Sequence, residues 1–167
     1  AIRDITNKHN GSYTASDVGE VNVVQMMKDT KAVIGGEGNG GIIYPELHYG
    51  RDSLVGVALF LTHLVEQKTT VSGLRASYPS YFMSKQKIAL TPEIDVDAIL
   101  EKMADTYKAE EITTIDGVKI DFESNWVHLR KSNTEPIIRI YTEAVTQDAA
   151  DSLANTIIKE IKQIAGL

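Results

Sequence analysis

Positions 130–139 of this chain place two arginines, one lysine and two hydroxyl side chains within ten residues. The whole chain has a formal net charge of -6, so a basic cluster of this density is a local exception. A phosphate dianion binds best to many directional donors and a fork-shaped cation, and this segment supplies both. We therefore predict an anion-binding site formed by Arg130, Ser132, Asn133, Thr134 and Arg139.

These donors are expected on a loop between two strands. Residues 132–134 favour a turn, and Pro136 ends the turn before an extended run. In that run, strand alternation puts Ile138, Ile140 and Thr142 on one side and Arg139 on the other, where Arg139 can lean toward the loop. The alternative is an ordinary solvated turn with surface charge.

A second polar segment lies at residues 36–41, Gly-Glu-Gly-Asn-Gly-Gly. It satisfies a dinucleotide-binding spacing, but that motif needs a helix after its last glycine. The run 42–45, Ile-Ile-Tyr-Pro, predicts an extended segment instead. The glycines can let a ligand approach the backbone, while Glu37 and Asn39 bind vicinal hydroxyls. From these residues alone, a tight turn with two solvated polar side chains is the favoured interpretation.

The composition limits the functions that the chain could have. Its 167 residues allow one domain or two small ones, and no cysteine is available for disulfides or thiolate chemistry. An acidic balance disfavours non-specific binding of nucleic acid. No secretory signal is visible, and the apolar run 54–61 is too short to cross a bilayer. A soluble, cytoplasmic protein without membrane contact is the default expectation.

The first half of the chain alternates helices with strands, which predicts an α/β layer with a mixed sheet. Apolar residues cover a wide arc of the helix predicted at 51–67, so we expect more than one neighbour to cover it. The other predicted elements here are helices at 1–10, 21–28 and 69–79 and strands at 12–15, 32–34 (buried) and 42–44.

The second half predicts an α+β domain with an antiparallel sheet and helices. Helical spacing of apolar residues from Val96 to Tyr107 is followed by a hairpin, for which Asp116-Gly117 suits a type I′ turn. Strands are expected at 87–90, at 126–130 and at 137–143. Thr146 can cap a last helix whose apolar face contains Ala150, Leu153, Ala154, Ile157 and Ile161.

Three segments together resemble a known family. Residues 130–136, Arg-Lys-Ser-Asn-Thr-Glu-Pro, match the phosphate-binding loop of the α-D-phosphohexomutases. Residues 36–40 are similar to the sugar-recognition loop of that family, Gly-Glu-x-Ser-Gly-His, which lies upstream in the same order. Val18 and Gly19 resemble the Val-Gly loop that precedes the sugar loop. The resemblance covers the whole chain as the C-terminal portion of such an enzyme.

The resemblance implies a division of labour. Residues 1–80 would be most of the third, α/β domain, which grips the sugar through Glu37 and Asn39, with Val18 and Gly19 in a supporting loop. Residues 81–167 would be the C-terminal α+β domain, which binds the non-reacting phosphate. The phosphoserine and its Mg²⁺ belong, by resemblance, to N-terminal domains missing here. No catalytic residue or cofactor is expected in this fragment, which should be inactive alone.

The family interconverts hexose 1-phosphates and hexose 6-phosphates through a bisphosphorylated sugar, and the resemblance does not choose among glucose, mannose and glucosamine. This chain departs from the pattern at Asn39, where Ser is usual, and at Gly41, where His is common. His48 reads as a surface-loop residue and His63 as a packed or rim residue, while His128 could border the phosphate loop. No spacing suggests a metal site. A non-catalytic module that binds an anion or a protein partner is the alternative.

Overall fold

The computed structural model describes residues 1–91, 94–132 and 135–167. The chain divides into two compact units, Ala1–Pro79 and Ser80–Leu167. Each unit has its own sheet, so the two are described separately. The fold class is as predicted: helices around a small sheet, followed by an antiparallel sheet with helices.

The first unit contains a three-stranded sheet in the order β1-β2-β3, with antiparallel pairing throughout. Of its apolar side chains, only Met27, Ile43 and Leu74 are fully buried. Its helices are α1 (Ile2–Lys8), α2 (Glu20–Thr30), α3 (Ser53–Glu66) and α4 (Val71–Ala76), and its strands are β1 (Gly35–Gly36), β2 (Ile42–Tyr44) and β3 (His48–Arg51).

Four expectations for this unit were wrong. Its sheet is antiparallel throughout and not mixed. Residues 12–15 form no strand. The strand predicted at 32–34 forms at Gly35–Gly36 instead, and Val33 is 78% exposed. Pairing with β2 brings this backbone so close to the Gly41 carbonyl that glycine, rather than a β-branched residue, fits there. Helix α3 buries no residue fully, because within its own unit it packs mainly on β2.

The second unit has a five-stranded antiparallel sheet in the order β4-β8-β7-β6-β5. Helices α5 and α6 pack on one face, and together with the sheet they enclose a continuous apolar core. The strands are β4 (Phe82–Ala89), β5 (Glu111–Thr113), β6 (Val118–Asp121), β7 (Trp126–Lys131) and β8 (Ile137–Ala144), and the helices are α5 (Val96–Thr106) and α6 (Gln147–Ala165).

Strand alternation decides which side chains of β8 are available for function. Ile138, Ile140 and Thr142 are completely buried, as predicted, whereas Arg139 lies on the opposite face and is half-buried. The Thr142 hydroxyl satisfies its hydrogen bond in the core by donating to the Ala150 carbonyl at 2.8 Å. The face that the helices leave open therefore carries the polar side chains.

Two local signals in this unit had different outcomes. Thr146 caps α6 as predicted, because its hydroxyl accepts the Ala149 amide at 3.2 Å. The type I′ turn at Asp116-Gly117 was wrong. Gly117 has a φ of 76°, but Asp116 does not have the positive φ that this turn also requires. Thr113 pairs with Lys119, so the connection is longer than two residues.

Amide hydrogen exchange should separate the two units. We expect amides of β6, β7 and β8 to exchange slower than those of the first unit by on the order of 100-fold or more, because protection follows burial. The second unit encloses a continuous core, whereas the first leaves Leu54 79% exposed and Val65 74% exposed. Exchange of the 167-residue chain followed by NMR or mass spectrometry tests this. Equal protection in both units would contradict it.

Candidate functional site

The glycine segment of the first unit forms a tight loop between β1 and β2. The Glu37 amide donates to the Gly41 carbonyl at 3.0 Å, and the Gly40 amide donates to the Glu37 carbonyl at 3.1 Å. Gly40 has a φ of 91°, which favours glycine. A Cβ atom on Gly36 would lie 2.2 Å from the Gly41 carbonyl oxygen, so a side chain at this position cannot be accommodated without moving the backbone.

Asn39 organises this loop from within. Its Nδ2 donates to Glu37 Oε2 at 2.8 Å, while its Oδ1 accepts the Gly41 amide at 3.0 Å. The asparagine therefore fixes the direction of the Glu37 carboxylate and has one Nδ2 proton left for a ligand. The sequence predicted both residues as ligand-facing, and the structure brings them together as a hydrogen-bonded pair.

The Val-Gly loop leads into α2, where Gly19 is the residue before the helix, with a φ of 123°. The Val18 side chain is 58% exposed, and its carbonyl accepts the Asn22 side-chain amide at 3.0 Å. The next residue, Glu20, accepts from the Arg51 backbone amide at 3.2 Å and pairs with Arg51 Nε at 2.9 Å. These two contacts between Glu20 and Arg51 join the start of α2 to the end of β3.

An open cavity of about 690 Å³ lies beside the glycine loop. It is lined by residues 39–42, by residues 50–53 and by Glu20. Sequence reasoning missed Arg51 and Glu20 as members of this site. The two residues are 31 positions apart, and no local pattern links them.

The base of this cavity is fixed by Asp52, which caps α3. Its Oδ1 accepts the amides of Leu54 at 2.8 Å and Val55 at 3.0 Å. His48 Nδ1 accepts the Gly50 amide at 3.0 Å, so the ring proton is on Nε2, which lies 3.2 Å from Asp52 Oδ2. His48 thus supports the cap, and both ring nitrogens have protein partners.

The cap predicts a dependence on pH. The hydrogen bond from the Val55 amide is the largest cause that lowers the pKa of the Asp52 carboxyl below its usual range. Burial opposes it, and the Leu54 amide and His48 lower the pKa further. A carboxyl with a lowered folded-state pKa stabilises the fold above its unfolded pKa of about 3.9, and the contribution is lost as the pH falls through the folded-state value.

We therefore expect Asp52→Ala to increase exchange of the first-turn amides of α3 at neutral pH, whereas Asp52→Asn retains most of the protection because asparagine also caps helices. As the pH falls through the lowered folded-state pKa of Asp52, the wild type should lose its advantage over Asp52→Asn, since protonation removes the carboxylate. Amide exchange as a function of pH measures both effects. Equal protection in wild type and Asp52→Ala at pH 7 would contradict the assignment.

In the second unit, the loop that was predicted to bind phosphate lies between β7 and β8 in the sequence. Arg130 and Arg139 are directly opposite each other in this strand pair, on the open face of the sheet. Like charges opposite each other in a sheet are unfavourable without a counter-charge. The Ser132 amide closes the strand pair by donating to the Ile137 carbonyl at 3.1 Å. The other two predicted loop ligands, Asn133 and Thr134, lie outside the described residues.

The connection between β5 and β6 packs against Arg130. Arg130 Nε lies 3.1 Å from Asp116 Oδ2, an oxygen that is shielded from solvent and has no aligned hydrogen bond within the described part of the chain. The Asp116 carbonyl accepts from His128 Nε2. Gly117 is so close to β7 that a Cβ atom would lie 2.1 Å from the Leu129 carbonyl oxygen. Asp116 was read from the sequence only as a turn residue, and it positions Arg130.

The remaining predicted side chains are accounted for as follows. His128 lies on the same face as Arg130, two residues earlier on β7, and both are half-buried. His63 is exposed on α3, so the expectation of a packed or rim residue was wrong. Lys131 Nζ pairs with Asp97 at 2.6 Å and is engaged away from the loop.

Two further properties concern metals and membranes. Within residues 1–91, 94–132 and 135–167, no group of three or more histidine or acidic side chains is arranged to hold a metal ion. Among the described helices, none combines the length and the hydropathy needed to cross a bilayer.

Comparison with known proteins identifies both parts of the chain. The phosphoglucomutase/phosphomannomutase α/β/α domain III model matches residues 1–81, and the C-terminal domain model of the same family matches residues 86–160. A phosphoglucosamine/phosphogalactosamine mutase of Sulfurisphaera tokodaii is 34% identical over 163 residues, 96% of this chain and 36% of that protein. A phosphoglucomutase/phosphomannomutase of Thermococcus kodakarensis is 33% identical over 164 residues, 97% of this chain and 36% of that protein.

Solved structures show the same fold. A phosphoglucomutase/phosphomannomutase family protein of Burkholderia thailandensis superposes with a TM-score of 0.76 at 20% identity, over 97% of this chain and 35% of that one. An N-acetylphosphoglucosamine mutase of Aspergillus fumigatus, solved with glucose 1,6-bisphosphate, superposes with a TM-score of 0.61 at 12% identity, over 98% of this chain and 36% of that one. The chain thus spans about a third of the length of these relatives. It belongs to the α-D-phosphohexomutase family and corresponds to the C-terminal portion of its members.

Proposed function

We propose that this chain is the substrate-binding C-terminal part of an enzyme that interconverts hexose 1-phosphates and hexose 6-phosphates. The observation that carries the proposal is the pair of arginines, Arg130 and Arg139, opposite each other on the two strands that flank a loop with the family's phosphate-binding sequence. Asp116 pairs with Arg130 Nε, and a bound anion would offset the positive charge that remains on the two strands. In this proposal Ser132, Asn133 and Thr134 complete the phosphate site.

The sugar ring is assigned to the glycine loop of the first unit. Glu37 accepts hydrogen bonds from ring hydroxyls, and Asn39 holds its carboxylate in one direction. Val18 and Gly19 support this loop through the Glu20–Arg51 bond that follows them. Fixed positions for both ends of a substrate suit phosphoryl transfer, because that reaction depends on positioning and charge stabilisation.

The reacting groups themselves are proposed to lie in preceding domains of the same polypeptide. Mg²⁺ is proposed to lie there too, where it would offset the charge at the phosphorylated serine, and no step here depends on it. A cytoplasmic location stays a prediction, which cell fractionation can test. The substrate could be a glucose, mannose or glucosamine phosphate, and the relatives carry names of several such mutases.

The complete polypeptide, assayed with the three hexose 1-phosphates, should form hexose 6-phosphate. The 167-residue chain alone should not, because the phosphorylated nucleophile is expected elsewhere. Turnover by the purified chain above contaminant level would contradict the assigned roles. A complete protein that binds hexose phosphates but converts none would favour a binding module instead.

Asn39→Ser should change the ranking of the three sugars more than it changes phosphate affinity. A serine side chain is too short to bond both the Glu37 carboxylate and the Gly41 amide, so the carboxylate loses its fixed direction. The measurement is kcat/KM for each sugar phosphate in the complete enzyme. If all three values fall by the same factor, Asn39 does not act through the ring.

A further inference from the structure

Arg51 is a positively charged side chain on the wall of the first unit's cavity, next to Asn39. Its Nε is bound by Glu20 Oε2 at 2.9 Å, and its side chain is 49% exposed. Its two Nη amino groups have no acceptor within the described part of the chain. The guanidinium is therefore held at one edge while its outer donors stay available to a ligand.

The glycine at position 41 makes room for this arginine. A Cβ atom there would lie 2.8 Å from Arg51 Cδ and 3.3 Å from Asn39 Oδ1. Gly41 is not among the glycines with positive φ, so its backbone conformation does not demand glycine. Glycine is required at position 41 because the methylene groups of the Arg51 side chain occupy the space where a Cβ atom would lie. A larger residue would move Arg51 or Asn39.

Besides Arg51, the side-chain donors on this cavity are neutral: the remaining Nδ2 proton of Asn39 and the Ser53 hydroxyl. A hydroxyl both donates and accepts, whereas the Glu37 carboxylate only accepts, and Asn39 uses one Nδ2 proton and its Oδ1 inside the loop. The Nη groups of Arg51 add charged donors to these. The Glu37 carboxylate, bonded to Asn39 beside the cavity, and the Arg51 guanidinium on the cavity wall can thus satisfy both hydrogen-bonding roles of vicinal hydroxyls.

We propose that Arg51 is a substrate-binding residue that donates hydrogen bonds to hydroxyl oxygens of the hexose, with Glu20 and Gly41 holding it in position. This inference rests on the proposed function. It adds to the sugar site a residue outside the glycine loop. It also explains why position 41 is a glycine, since a Cβ atom there would contact the Arg51 side chain.

The test uses the complete enzyme and two probes, inorganic phosphate and the hexose 6-phosphate that the wild type binds best. Arg51→Ala should weaken binding of the hexose 6-phosphate about 10- to 100-fold, as for a lost hydrogen bond to a charged group. It should change the affinity for inorganic phosphate less than about twofold. Arg51→Lys should recover part of the loss, because one ammonium cannot reproduce the fork.

A double-mutant cycle with Gly41 separates ligand binding from general damage to the loop. Gly41→Ala should weaken hexose 6-phosphate binding in the wild-type background and have little further effect in the Arg51→Ala background. Glu20→Gln, which retains Arg51, should cost less affinity than Arg51→Ala. If Glu20→Gln costs as much, Arg51 is only a structural partner of Glu20, and the inference is overturned.

The remaining outcomes are equally decisive. If the wild type and Arg51→Ala bind hexose 6-phosphate equally tightly, this inference is overturned and the proposed function stands. Equal weakening of both probes also overturns it, since Arg51 would then not act through the ring. A wild-type enzyme that binds no hexose phosphate overturns both.

Discussion

Replacing Arg130 with alanine in the complete enzyme should weaken binding of every hexose phosphate by a similar factor. We expect a loss of about 1.5–3 kcal/mol, the range for a hydrogen bond to a charged group. The loss should not depend on the sugar, because Arg130 flanks the phosphate loop of the second unit and the predicted ring contacts belong to the glycine loop. Arg130→Lys should recover only part of the affinity, since an ammonium cannot form the bidentate fork.

This experiment needs a control for Asp116. Removing Arg130 leaves a half-buried carboxylate without its cation, which can destabilise the unit and mimic a binding defect. Arg130→Ala combined with Asp116→Asn removes that charge and should still bind hexose phosphates weakly. Lys108→Ala, at an exposed cation paired with Asp105, is the matched control and should bind normally. Sugar-dependent losses for Arg130→Ala, measured as kcat/KM, would contradict a phosphate role.

Gly36→Ala should abolish most of the affinity for hexose phosphates, because it distorts the glycine loop of the first unit. The new Cβ would lie 2.2 Å from the Gly41 carbonyl oxygen, a backbone atom that cannot rotate away. Relief requires opening the β1–β2 connection, which breaks the bond from the Glu37 amide to Gly41. We expect kcat/KM to fall at least about 100-fold, because misplacing a positioning residue by about 1 Å has effects of that size.

Gly38→Ala is the matched control two residues away. A Cβ atom at Gly38 meets nothing within 4 Å, so this variant should retain nearly wild-type kcat/KM. Amide spectra of the 167-residue chain should show that the second unit of the Gly36→Ala variant stays folded. If Gly36→Ala binds hexose phosphate as tightly as Gly38→Ala, the loop does not take part in recognition.

Apart from the turn at Asp116-Gly117, the local patterns predicted the second unit well, because these signals are satisfied by their own neighbours. Alternation along β8 placed Ile138 in the core and Arg139 on the open face, and the Thr146 cap forms as expected. In the first unit, the apolar segments led to incorrect predictions of burial. Helix α3 and residue Val33 are apolar, yet both are largely exposed, because the described first unit contains few elements to cover them.

The candidate sites, too, were predictable from the sequence only in part. The sequence by itself determined the residue types of the two loops, since a phosphate site needs forked cations and a sugar site needs polar side chains on a backbone that a ligand can approach. The orientation of the Glu37 carboxylate was not predictable from the sequence, because it depends on the hydrogen bond that Asn39 donates to it within the loop.

Only the tertiary structure decided which distant residues support these loops. Glu20 holds Arg51 across 31 positions, and Asp116 reaches Arg130 from a neighbouring connection. Neither pair has a spacing that a helix or a strand would repeat, so no periodic pattern in the sequence reveals it. Their contacts follow from strand pairing and from glycines at positions 41 and 117, where a side chain would force the partners apart.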